Sequence, residues 1–191
     1  MANETMKLRR TSSDVQVGTA GTGVTVVEKA SGVFRVTEIT IPATTLITTT
    51  NASLASGLLL YTLPAGIVNI VGCAMHVSLT GSTNIVADTP EVALGTVIGS
   101  GAIATLGASV ATMEDVFGPI VISGAIPANG TGGALRQSGS PGISTTTAAN
   151  FNGKIFVGTD TRTIYLNIAD GWAGVGTVTA AGTVWLTWIA L

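Results

Sequence analysis

Charge is what this sequence lacks most: Asp, Glu, Lys and Arg make up 9% of its 191 residues, against roughly 25% in an average soluble chain. Scattered charge keeps monomers apart, so a surface this poor in it is a weak barrier to association, and much of it is expected to be covered. The formal net charge of −2 excludes general nucleic-acid binding, which needs a basic surface to neutralise phosphates. Low charge does not make the chain disordered. Disorder requires low hydrophobicity with high net charge, and the mean hydropathy here is +0.58. Cysteine is limited to Cys73, which rules out an intrachain disulfide and a thiolate metal cluster. Histidine is limited to His76, leaving hydrolytic triads a single candidate base.

What charge there is sits unevenly. Of eight basic residues, Lys7, Arg9 and Arg10 fall in the first ten positions, and none lies between Val36 and Leu135. Residues 1–23 are polar and basic and end in the string Gly18-Thr-Ala-Gly-Thr-Gly23, so they are expected to form an extended N-terminal arm ahead of a domain at 24–191. No apolar segment follows the basic residues, so a signal peptide is not expected and synthesis in a cytoplasm is the default. The run 58–79 (LLLYTLPAGIVNIVGCAMHVSL) has the length of a membrane helix. Pro64, Gly66, Asn69, Gly72 and His76 spoil it, and two buried strands joined at Pro64-Ala65-Gly66 account for the same residues without placing an Asn and a His in lipid.

What is abundant is Gly, at 25 residues, together with Thr, Ser, Ala and Val. From residue 24 onward, short runs of Val, Ile, Leu and Thr are broken by Gly, Pro, Asn or Asp at intervals of about ten residues, the pattern of an all-β sandwich or barrel. Strands are expected at 24–28, 34–41, 58–63, 67–79, 92–98, 116–122, 154–157, 162–168 and 183–189. Alternation puts Cys73, Met75, Val77 and Leu79 on one face with Ala74, His76, Ser78 and Thr80 on the other, and sets Ile164, Leu166 and Ile168 against Tyr165 and Asn167. One helix is expected at 102–116 (AIATLGASVATMEDV), against the weight of Gly107 and several β-branched residues. Residues 129–150, rich in Gly, Ser and Thr, are expected to be a long exposed loop, either a mobile insertion without a role or a loop for contact or display. An Asn152-Gly153 pair after it carries a hairpin signal.

No catalytic constellation emerges. Cys73 and His76 are three positions apart, hence on opposite faces of a strand. Of the acidic residues only Asp88/Glu91 and Glu114/Asp115 are close in sequence; neighbours in a strand point apart, and Asp88-Thr-Pro90-Glu91 reads as a turn. Asp160 and Asp170 lie in loop-like stretches conceivable for calcium, but neither carries a spaced carboxylate set. The glycine strings lack the Lys-Ser/Thr of a phosphate loop. No enzyme, cofactor or metal is expected. Six of nine aromatics fall from Phe151 onward; of these, Trp172, Trp185 and Trp188 are the candidates for a subunit interface. Trp185 and Trp188 are an odd number apart, so one is expected to enter the core and the other to lie on a face with Thr183, Thr187 and Ile189.

The segments 94–106 (LGTVIGSGAIATL), 113–118 (MEDVFG), 164–172 (IYLNIADGW) and 182–188 (GTVWLTW) resemble virion proteins of tailed bacteriophages, especially capsid decoration or cement proteins of marine and cyanobacterial phages. The likeness covers about 58–191. It implies a jelly-roll-like antiparallel β-sandwich attached to a capsid shell, with the major capsid protein as partner, a homo-oligomeric state (dimer or trimer), a place on the virion surface, and neither nucleic acid nor membrane as ligand. It carries no site residues. Residues 1–23 would lie along the shell protein, with Lys7, Arg9 and Arg10 meeting acidic residues there. The alternative is a carbohydrate- or receptor-binding module of a head fibre or tail tip.

Overall fold

The computed structural model describes residues 16–49, 54–81, 90–106, 111–121, 133–137, 154–158, 160, 162–170 and 176–191, with side chains for all of these except 44–49, 111 and 133–137. Eleven strands run β1 (Thr19–Ala20), β2 (Thr25–Ser31), β3 (Phe34–Thr49), β4 (Ala55–Thr62), β5 (Val68–Gly81), β6 (Glu91–Gly95), β7 (Phe117–Val121), β8 (Gly133–Gln137), β9 (Lys154–Phe156), β10 (Thr163–Ala169) and β11 (Gly176–Ala190). They form two antiparallel sheets. Sheet I has the order β1-β4-β10-β6-β7, and sheet II the order β2-β3-β11-β5-β8, with β9 also paired to β5.

Setting aside β1, β2 and β9, the chain order β3 to β11 fills four-stranded rows β3-β11-β5-β8 and β4-β10-β6-β7, with each late strand inserted between two early ones. That is the connectivity of a jelly roll, an all-β double-sheet sandwich in which Greek-key crossovers bring distant strands together. The stretch 58–79 is accounted for by β4 and β5, which lie in different sheets and are joined through Gly66 at φ 111°. No helix among the described residues is long and apolar enough to cross a membrane.

Alternation explains the core. In β5, Cys73, Met75, Val77 and Leu79 are buried, whereas His76 is exposed. In β11, Val184, Leu186 and Trp188 are fully buried and meet Ile164, Leu166 and Ile168 of β10 in one cluster between the sheets. Gly182 is required where it stands: its φ is +142°, and a Cβ there would come within 2.0 Å of the His76 carbonyl oxygen. Pro42 is tolerated inside β3 because β2 ends its pairing at Thr40 and the β3–β11 register shifts just beyond Ile41, so no ladder bond needs its missing N–H.

Three expectations are corrected. Among the described residues of 102–116 no α-helix forms: 111–113 make one 3-10 turn, Leu106 is 3-10, and the others are loop or bend. The segment's apolar residues are used by a sheet face instead, as set out below. The segment 129–150 is not all loop, since 133–137 form β8 on the edge of β5. Asn152-Gly153 lies outside the described residues. Within the expected arm, Thr19 and Ala20 bridge β4; residues 1–15 lie outside the described residues.

Candidate interaction surface

The two outer faces of the sandwich differ in how the chain treats them. On sheet I five of the outward positions of β4, β10 and β6 are small: Ala55, Gly57, Ala93, Gly95 and Ala169. They are small because the chain lies on them. A Cβ on Gly57 would meet Asn167 Oδ1 at 2.3 Å, and one on Gly95 would meet the Met113 backbone at 2.2 Å. Leu106 and Met113 bury themselves against Ala55, Ala93 and Ala169 in a second cluster, with Ile103 alongside. Asn167, fully buried on this face, holds the covering segment: its Oδ1 accepts from Gly99 N–H at 2.7 Å, and its Nδ2 donates to the carbonyls of Val97 (3.0 Å) and Met113 (2.7 Å).

The acidic residues serve the same segment. Asp115 accepts from Thr96 N–H and Oγ1–H, both at 2.8 Å, and from Lys154 Nζ at 2.7 Å. Glu91 accepts from Leu106 N–H at 2.6 Å. Burial pushes the Glu114 carboxyl up, with the charges of Glu91 and Asp115 adding to the rise. Asp160 accepts from Val157 N–H at 2.7 Å, closing a turn, and Arg162 donates to the carbonyls of Pro64, Gly66, Val157 and Gly158. Asp115, Glu91 and Asp160 are thus occupied by backbone N–H groups, the Thr96 hydroxyl and Lys154. No group of three or more His, Cys, Asp or Glu among the described residues is placed to hold a metal ion. Cys73 faces the core, where burial pushes its thiol far above its ordinary value, while His76 faces out; the strand separates the pair as alternation predicts. Asp88 lies outside the described residues.

A second polar network ties the N-terminal entry to both sheets. Glu28 on β2 points inward and is 2% exposed. It accepts from the Tyr61 hydroxyl of β4, from Val17 N–H at 2.9 Å, and more weakly from Thr37 Oγ1–H and Arg35, each at 3.4 Å. Tyr61 in turn accepts from Gly18 N–H at 2.8 Å. Trp188 donates its indole N–H to Thr37 at 2.8 Å, and Arg35 lies 5.6 Å from its ring. A buried carboxylate is tolerated only when satisfied in this way. Glu28 stands out from no pairing of acids in the sequence, because its partners come from β3, β4 and the segment before β1; an acidic residue at an inward position of an amphipathic strand is the signal that could have found it.

The outer face of sheet II has no such cover among the described residues. Trp188 is the tryptophan that enters the core, fully buried, and so is withdrawn from the interface candidates; Trp185 lies half-buried on the outer face, flanked by Glu38 on β3 and Ala74 on β5. Around it stand Val27 (53% exposed), Phe34 (51%), Val36 (37%) and Ile155 (52%). Exposed apolar residues grouped on one face of this kind mark an interaction site. Trp172, Lys7, Arg9 and Arg10 lie outside the described residues. Among the described residues the protein is therefore a jelly-roll sandwich with one face covered by its own loops and the opposite face carrying exposed apolar residues. No protein-family model, no curated protein and no solved structure matches the chain.

Proposed function

We propose that this protein is a virion structural protein, a capsid decoration or cement protein that binds the major capsid protein and stabilises a phage head shell from its surface. The observation that carries the reading is the contrast between the two faces: among the described residues the chain lays Ile103, Leu106 and Met113 over sheet I and leaves aromatic and aliphatic side chains exposed on sheet II. A chain with 9% charged residues has little else to keep that patch from associating. The basic N-terminal residues Lys7, Arg9 and Arg10 supply a second contact, to acidic residues of the shell. Its role is assembly rather than catalysis, with neither nucleic acid nor membrane as ligand. The jelly-roll connectivity supports the reading only as a shared architecture, since the same fold serves capsids, lectins and cupins.

The test is co-sedimentation of the purified chain with bare shells. Full-length chain is expected to bind, and deletion of residues 2–15, which leaves the Val17 and Gly18 anchors in place, is expected to abolish binding while the sandwich keeps its circular dichroism spectrum. Full binding by the deletion would remove the arm from the account; no binding by the full chain would remove the account. A second reading, a carbohydrate-binding module, is favoured by one observation, the half-exposed Trp185 ring beside Glu38, an apolar plate with a polar neighbour. A glycan array without hits removes it.

A further inference from the structure

The register of sheet II places its outward residues in rows across the strands. Val27, Glu38, Trp185 and Ala74 form one row; Lys29, Val36, Thr187 and Gly72 form the next; Ser31, Phe34, Ile189, Asn69 and Ile155 form a third. Lys29 and Glu38 are the charged residues of these rows, and neither makes an ion pair or hydrogen bond among the described residues. Glu38 is half-buried between Val27 and Trp185. A carboxylate so placed on an apolar surface asks for a cation from whatever covers it.

A second copy supplies one. With strands ~4.8 Å apart and residues ~3.4 Å apart along them, consider a two-fold axis lying in the plane of the face and running diagonally across the rows, between Val36 and Thr187. It carries Lys29 of each copy onto Glu38 of the other. The same operation sets Trp185 over the partner's Phe34, brings Val36 and Ile155 each against its own counterpart, and drops Ile189 onto the partner's Gly72. Every exposed apolar residue of the rows then meets an apolar or side-chain-free position, and both charges are paired, from one axis. The strands of the two sheets cross at about 70°, nearer the orthogonal than the aligned class of sheet packing. The flat footprint is about 400–500 Å², and side-chain relief over both copies raises the buried total to roughly 1,200 Å², the lower end of the range for specific interfaces.

We propose that the outer face of sheet II is covered by a second copy of the chain in a face-to-face dimer about this axis, with the Lys29–Glu38 pair made twice and Trp185 packed on Phe34 of its partner. The contact is isologous, so each pair recurs by symmetry. The proposal deepens the assembly reading and rests on it.

Sedimentation velocity on the full chain tests it. Wild type is expected as a dimer. Lys29→Glu alone sets carboxylate against carboxylate in both pairs, Glu38→Lys alone sets ammonium against ammonium, and each is expected to dissociate at least tenfold more readily. An equimolar mixture of the two variants is expected to recover the dimer, because each hetero-pair then meets opposite charge twice, an outcome that an ion pair within one copy does not give. Phe34→Arg provides an independent monomer, and circular dichroism checks that each variant is folded. A monomeric or trimeric wild type, single variants that dimerise as wild type does, or a mixture that stays monomeric overturns the proposal. Shell binding retained by a monomeric chain would remove the dimer and keep the assembly role; a dimer that binds no shell would do the reverse.

Discussion

Replacing Tyr61 by Phe removes one oxygen atom from the fully buried junction between the sheets and leaves the ring, so packing is unchanged and the polar network alone is tested. The lost hydroxyl donates to Glu28, a hydrogen bond to a carboxylate worth about 1.5–3 kcal/mol, and accepts from Gly18 N–H, worth about 0.5–1.5 kcal/mol. Glu28 keeps Val17 N–H at 2.9 Å, with the 3.4 Å contacts to Thr37 and Arg35 too long to take over. The expected loss is about 2–4 kcal/mol. For a chain of this size each kcal/mol moves the unfolding midpoint by about 2–4 °C, so the variant should melt about 10 °C lower in scanning calorimetry. Hydrogen exchange should quicken at Gly18 while the amides of β11 keep their relative protection. A midpoint within a degree of wild type would refute the reasoning, because it would mean the carboxylate does not depend on this donor.

Two further outcomes follow from the covered face. Asn167→Ala deprives Gly99 N–H and the carbonyls of Val97 and Met113 of their buried partner, at about 3 kcal/mol, and limited proteolysis should then cut within 97–113 while the core strands resist; an uncut loop would contradict the assigned role. Glu114 has its carboxyl raised by burial and by Glu91 and Asp115, so the folded state favours its protonated form. Stability from this group is present below the ordinary glutamate value and is lost as pH rises through the raised one. Glu114→Gln should therefore raise the melting midpoint at neutral pH and leave it unchanged at pH near 3, and an equal effect at both pH values would argue against the sign.

Much of the architecture was legible from period-two alternation. The inward set of β5, the opposition of Asn167 to Ile164, Leu166 and Ile168, and the division of Trp185 from Trp188 all follow from it, because these strands have one face on a continuous core. Where alternation misled, a tertiary contact had replaced local preference. Leu106 and Met113 lie at apolar positions of the segment read as helix, yet they serve as a lid on the small residues of sheet I, and the polar bonds of that segment go to Asn167, Asp115 and Glu91 rather than along a helix. β8 arises in a Gly-, Ser- and Thr-rich stretch of low strand preference because the edge of β5 supplies its ladder. The only local sign of Glu28 is its inward position in β2, since its donors come from Val17, Arg35, Thr37 and Tyr61. The open face could be read only after the register had aligned Val27, Trp185 and Phe34 across β2, β3 and β11.

The central proposal is that this chain is a structural component of a phage particle. Quantitative mass spectrometry of purified phage particles tests it most directly. The account predicts the chain in a fixed ratio to the major capsid protein, retained through washing at moderate salt and released together with loss of shell stability. Particles that lack the chain, or carry it in traces unrelated to the number of shell subunits, would contradict the account.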